Sequence, residues 1–187
     1  MNRLFTIPDI LTNFRFALIP VLIVLFSLKQ TPTVEVYSFI IFTVAAMNDF
    51  IHRRVAKHYN VETILGKLMD PLADKVLVAT ALIMLIPLGK ITAWVCLLII
   101  CREIIVTGLR NIAATTGKEV SAGSVGNLKK NFQYFGLGLL IFPLNVVPVP
   151  YQYEIGAALV YISLFLALWS GTVYWYNVRS VFRETTR

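Results

Sequence analysis

The chain has 187 residues, of which 57% are hydrophobic and only 14% charged, with a mean hydropathy of +0.72. A soluble domain carries roughly 25% charged residues, so this composition excludes a disordered chain and argues against a water-soluble globule. The charge is also lopsided, 17 Lys+Arg against 10 Asp+Glu for a net +7. In so apolar a chain a basic excess suits anionic lipid headgroups and phosphate ligands rather than nucleic acid.

A helix needs about 20 apolar residues to cross the hydrocarbon core. Stretches of that size fall at 10–28, 34–56, 67–88, 91–113, 131–150 and 154–178. The first follows a single basic residue, Arg3, and no small-x-small cleavage site comes after Val21–Leu28, so it reads as a retained span and not a signal peptide. Gln30-Thr31-Pro32 separates the first two stretches, Leu88-Gly89-Lys90 the third from the fourth, and the polar segment Thr115–Val125 the fourth from the fifth. Pro143, Pro148 and Pro150 mark the last connection. The runs are continuous, whereas barrel strands would alternate. The expectation is an all-α integral membrane protein, a single domain over 1–187 with six transmembrane helices in one bundle.

Cys96 and Cys101, five residues apart in one run, point about 140° apart on a helix and cannot bridge; they read as small apolar fillers. Trp169, Tyr174, Trp175 and Tyr176 read as core and interface belt. Ser170 and Gly171 are small enough to pack helices in a homodimer.

Lys and Arg set orientation in a membrane. With a cytoplasmic N-terminus, the outer loops hold only Lys29 and Lys90. The inner side then collects Arg53, Arg54 and Lys57, Lys118, Lys129 and Lys130, and Arg179, Arg183 and Arg187. Both termini are expected inside.

Ionisable groups within spans are costly and usually functional. Asp49, Asp70, Asp74, Lys75, Arg102, Glu103 and Arg110 interrupt the apolar runs, all toward the inner ends of spans two to four. Asp70 and Asp74 are four apart and share one helix face, and Asp49 approaches at similar depth from the neighbouring span. Three clustered carboxylates repel unless cations neutralise them or their pKa values rise, and Lys75 can balance only one. Oxygen-only donors select a hard divalent cation, Mg²⁺ or also Mn²⁺, which completes its shell with substrate phosphates. Arg102, Arg110, Lys129 and Lys130 bring phosphate-binding charge to the same face, while Glu103 reads as a structural partner of Arg102. Carboxylates, metal, phosphate and lipid at one depth point to phosphoryl-group chemistry at the bilayer surface. An ion or solute path is disfavoured because the outer halves of the spans carry almost no charge.

The run Asp49-Phe50-Ile51-His52-Arg53-Arg54-Val55-Ala56-Lys57, followed by Gly66-Lys67-Leu68-Met69-Asp70-Pro71-Leu72-Ala73-Asp74-Lys75, resembles the signature of the CDP-alcohol phosphotransferases, D-x2-D-G-x2-A-R-x8-G-x3-D-x3-D. The surrounding segments are similar to the bacterial branch that makes phosphatidylglycerophosphate: Leu11-Thr12-Asn13-Phe14-Arg15 with Pro20, Arg102–Arg110, and Gly126-Asn127-Leu128-Lys129-Lys130 leading to Gln133. The resemblance covers almost the whole chain.

The departures fall in one stretch. His52 stands where the family has its second Asp, Arg53 where it has Gly, and Lys57 where it has Arg; in addition, Asn127 replaces a Lys and Asp9 an Asn. An imidazole offers one nitrogen where a carboxylate offers charge and two oxygens, so Mg²⁺ binds less well. Arg53 adds a long cation where Gly allows close backbone approach, or else acts as a surrogate cation for a phosphate.

The resemblance implies transfer of a phosphatidyl group from CDP-diacylglycerol to glycerol 3-phosphate, giving phosphatidylglycerophosphate and CMP at the cytoplasmic membrane. It implies a pair of Mg²⁺ ions on Asp49, Asp70 and Asp74, with His52 a weaker ligand. Asp74, with Asp70 on the same face, carries the catalytic role and takes the acceptor's proton. Asp49, Arg53, Ala56, Lys57 and Gly66 would seat the CDP-lipid. Arg110, Lys129 and Lys130, with Arg102 as a weaker candidate, would hold the acceptor's phosphate. The altered signature leaves two alternatives: an impaired or inactive member that binds CDP-lipid, natural or a site mutant, and a relative using another acceptor, phosphatidylglycerol or inositol phosphate.

Overall fold

The computed structural model describes the backbone of residues 7–59, 64–115, 123–143 and 150–185, and the side chains of 13–48, 69, 72–112, 126–143 and 150–176. Six helices follow one another: α1 Ile7–Ser27, α2 Pro32–Tyr59, α3 Ile64–Leu85, α4 Ala93–Thr115, α5 Gly123–Ile141 and α6 Gln152–Thr185. α5 begins earlier than the apolar stretch at 131–150 and stops before Pro143, because a proline can neither donate to the helix ladder nor leave its predecessor helical.

Local chemistry sets the turns. The side-chain amide of Gln30 donates to the carbonyls of Leu25, Phe26 and Leu28 at 3.2, 3.1 and 2.8 Å, closing the open end of α1. Thr31 then caps α2: the Val34 N–H donates to Thr31 Oγ1 at 3.3 Å, Pro32 occupies the first helical position, and Glu35 sits in the first turn. Gly89 adopts φ 67° between α3 and α4, a left-handed conformation that glycine enters without steric cost. At the start of α6, Gln152 Nε2 donates to the carbonyls of Leu139 and Phe142 at 2.6 and 2.9 Å. One side chain thus satisfies a carbonyl of the last turn of α5 and the one just beyond its end, and ties α5 to the start of α6.

α5 packs most extensively on α6, α1 lies against both α2 and α3, and α4 rests on α6. The α5–α6 contact is close because two glycines face each other: a Cβ at Gly136 would lie 2.9 Å from the Gly156 carbonyl oxygen. The core collects Leu22, Phe42, Leu77, Leu82, Val95 and Leu137 with their neighbours. Large apolar side chains also cover the outside, among them Leu97, Ile104, Phe135 and Phe165, more exposed apolar surface than a water-soluble monomer tolerates.

Among the described residues one stretch, Gln152–Tyr176, is long and apolar enough to cross a bilayer, and Asn13–Ser27 and Pro32–Asn48 are shorter apolar lengths. In α4 the charged residues Arg102, Glu103 and Arg110 interrupt the apolar run. Cys96 is buried and Cys101 exposed, both as free thiols. Trp169, Trp175 and Tyr176 lie on the surface and Tyr174 inside.

Candidate active site

Asp74 follows the buried Ala73 on α3, one turn before the buried Leu77 and Val78, so it sits at the edge of that helix's core-facing side. α3 is continuous through Asp70 and Asp74, which places the two residues on one helix face. The backbones of Asp49, His52, Arg53, Ala56 and Lys57 lie in α2 and those of Gly66 and Asp70 in α3. Their side chains lie outside the described residues.

α5 supplies the partners of Asp74. Its buried positions Lys129, Gln133, Gly136, Leu137 and Leu140 recur at helical spacing, and this stripe carries charge as well as apolar side chains into the bundle. Lys130 Nζ lies 2.7 Å from Asp74 Oδ2, and the Tyr134 hydroxyl donates to Asp74 Oδ1. Lys129, the neighbour of Lys130, turns about 100° away and donates to Glu103 Oε1.

Glu103 is shared. Arg102 Nη1 donates to the same Oε1 at 2.7 Å, the pairing suggested by their adjacency. The rest of the Arg102 fork points at α6, with Nε donating to the Ala167 carbonyl at 2.9 Å and Nη2 to Ser170 Oγ at 2.7 Å. A Cβ at Gly171 would meet Arg102 Nε at 3.5 Å. Ser170 and Gly171, expected as helix-packing residues for a dimer, therefore pack α4 within the chain. Lys75 Nζ donates to Thr107 Oγ1, and that hydroxyl donates to the Glu103 carbonyl at 2.5 Å. Lys75 thus bonds to a hydroxyl of α4, whereas the sequence offered it a partner among Asp49, Asp70 and Asp74.

Arg110 is exposed about two turns beyond Arg102 on α4. The structure brings Lys129, Lys130 and Arg102 around Asp74 and Glu103 and leaves Arg110 at the periphery. Sequence reasoning gave no role to Tyr134, Thr107 or the buried Gln133, whose side-chain nitrogen has no hydrogen-bond partner among the described residues. Tyr134 gave no signal, since an aromatic in an apolar helix reads as core. Among the described residues of this cluster Arg102 and Lys129 pair with Glu103, Lys130 pairs with Asp74, and Lys75 bonds to Thr107.

Residues 5–169 match the family model described as CDP-alcohol phosphatidyltransferase. The chain belongs to the CDP-alcohol phosphatidyltransferase family. Members are membrane-associated enzymes that generally use divalent metal ions. Three relatives carry the name CDP-diacylglycerol–glycerol-3-phosphate 3-phosphatidyltransferase. That of Rickettsia bellii is 32% identical over 94% of this chain and 97% of its own length. That of Bacillus subtilis is 33% identical over 79% of this chain and 84% of its own. That of Salmonella choleraesuis is 37% identical over 89% and 91%. The family match thus covers both the altered signature and the charged α3–α4–α5 cluster.

Proposed function

We propose that the chain transfers the phosphatidyl group of CDP-diacylglycerol to glycerol 3-phosphate. The acceptor hydroxyl oxygen bonds to the lipid-bearing phosphorus, the bond to CMP breaks, and phosphatidylglycerophosphate and CMP leave. The observation that carries this reading is a carboxylate, Asp74, set between two donors of α5 in a chain matched nearly end to end by relatives named for this reaction. All six helices span the cytoplasmic membrane with both termini inside. That arrangement puts the charged ends of α2 to α5 at the inner leaflet, where both a soluble acceptor and a lipid donor reach them.

The donor chemistry of Asp49, Asp70 and Asp74, all carboxylate oxygens from two helices, fits a hard divalent cation, with His52 a weaker ligand. Bound there, Mg²⁺ would neutralise the diphosphate and stabilise the attacking and leaving oxygens of an in-line displacement. Asp74 accepts the proton of the acceptor hydroxyl, and the α5 donors hold its carboxylate for that task. By the family signature, Arg53, Ala56, Lys57 and Gly66 are assigned to the donor's nucleotide. Lys129, Lys130 and Arg110 draw the acceptor's own phosphate, which a neutral alcohol lacks, while Arg102 ties α4 to α6. An apolar groove of about 410 Å³ between α4 and α6, lined by Leu98, Ile105, Leu109, Leu168 and Trp175, supports a place for an acyl chain. Each buried CH₂ contributes about 0.8 kcal/mol.

The test is CMP release by the purified chain in detergent. Release that needs CDP-diacylglycerol, glycerol 3-phosphate and a divalent cation together supports the reading. Release with inositol phosphate but none with glycerol 3-phosphate refutes the acceptor assignment.

A further inference from the structure

We infer that Tyr134 is a positioning residue for the Asp74 carboxylate, an inference that rests on the phosphatidyltransfer reading of this site. A carboxylate on a short stem still rotates about its last bond, and a catalytic or metal-holding oxygen must be fixed within a fraction of an ångström. Here each oxygen has its own donor from one helix: the Tyr134 hydroxyl on Oδ1 and the Lys130 ammonium on Oδ2 at 2.7 Å. Residues 130 and 134 are one turn apart on α5, so both reach the same point on α3.

The two donors are not equivalent. Lys130 is a flexible cation, suited to following a phosphate. Tyr134 is neutral and rigid: its ring packs at 6.2 Å from that of the buried Phe42 on α2, and the Lys130 ammonium lies 5.5 Å from its centroid. A neutral donor orients the carboxylate without cancelling its charge, and an ionised carboxylate offers about four lone-pair sites. One bond to Tyr134 therefore leaves room on Asp74 for a cation or for the acceptor's proton. Hydrogen-bond partners of this kind, one step removed from a metal, typically carry a 10- to 100-fold effect on metal affinity or activity.

The variant is Tyr134→Phe, which removes one oxygen and keeps the ring. Mn²⁺ binding to the purified full-length chain, followed by electron paramagnetic resonance without substrates, is expected to weaken about 10-fold or more. In the CMP assay kcat falls by a similar factor, with KM for both substrates within about twofold, because Tyr134 touches neither. Phe42→Leu disturbs the same ring packing but leaves the hydroxyl. It is expected to lower the thermal midpoint while leaving Mn²⁺ affinity within about twofold of the parent. Equal Mn²⁺ affinity and kcat in Tyr134→Phe and the parent overturn the inference, as do a loss confined to KM, a parent chain that binds no Mn²⁺, or a Phe42→Leu loss as large as that of Tyr134→Phe. A Tyr134-dependent Mn²⁺ affinity in a chain that releases no CMP upholds the positioning role and refutes the reaction instead.

Discussion

Replacing Arg102 by alanine separates a structural clamp from a substrate ligand. In the structure Arg102 spends all three arms of its fork on the protein: Glu103 at 2.7 Å, the Ala167 carbonyl at 2.9 Å and Ser170 Oγ at 2.7 Å. Hydrogen bonds to charged groups contribute about 1.5–3 kcal/mol each in water-soluble proteins, but side-chain bonds in membrane bundles average only about 0.6 and reach about 1.7. The truncation leaves no partner stranded, since Glu103 keeps Lys129 and Ser170 keeps its 3.1 Å bond to the Ala167 carbonyl. Three bonds near the membrane range, with the packing of the stem on Gly171, give a loss of roughly 2–4 kcal/mol. Unfolding in mixed micelles, followed by circular dichroism, measures it. Arg102→Lys keeps the charge without the fork and should fall between the two. A variant as stable as the parent whose KM for glycerol 3-phosphate rises tenfold would refute the clamp and return Arg102 to the acceptor's phosphate.

Asp74→Asn keeps the side-chain volume but removes the carboxylate proposed to accept the proton, and should lower CMP release about 10²–10⁴-fold without unfolding the chain. His52→Asp supplies a second carboxylate to the signature, so the Mg²⁺ concentration for half-maximal CMP release should fall; no change would mean that position 52 does not face the cation. Gly136→Ala places a Cβ 2.9 Å from the Gly156 carbonyl and should cost about 1–3 kcal/mol through overpacking. Gly138→Ala, with nothing within 4 Å of its added Cβ, should be neutral or stabilising by about 0.5–1 kcal/mol, as micelle unfolding of both variants will show.

What the sequence disclosed follows from what spacing can encode. Apolar runs and turn residues such as Thr31-Pro32 and Gly89 marked the helices, because burial and φ preferences act locally. The end of α5 is not legible from hydropathy, because the apolar run continues through Pro143 although helical hydrogen bonding does not. Asp74 stands out in the sequence as a carboxylate interrupting an apolar run four residues from Asp70. Its partners do not, because Tyr134 and Lys130 meet it across 60 and 56 residues of chain, and a tertiary contact leaves no local period. Lys129 illustrates the same limit: its charge was legible as phosphate-binding capacity, but its engagement with Glu103 depends on where α4 lies. Ser170 and Gly171 were legible as small residues, and only the fold decides whether such residues face a partner chain or, as here, Arg102.

The site's wiring depends on the height at which α5 sits. Lys129 and Lys130 are consecutive, so they diverge by about 100°, one reaching Glu103 on α4 and the other Asp74 on α3. Sliding α5 by one residue, about 1.5 Å along its axis, or rotating it by one position, would offer each acid the wrong side chain. Two features away from the charges hold that height: the close approach of Gly136 to Gly156 and the bonds from Gln152 to the Leu139 and Phe142 carbonyls. Gly136 is about 9 Å along the helix from Lys130, within the same rigid element. Its substitution should therefore slow the reaction as well as loosen the fold, whereas Gly138→Ala, on the same helix with open space, should do neither. The apolar contacts of α5 with α6 and the polar contacts of α5 with α3 and α4 are then one device, in which packing selects the ion pairs.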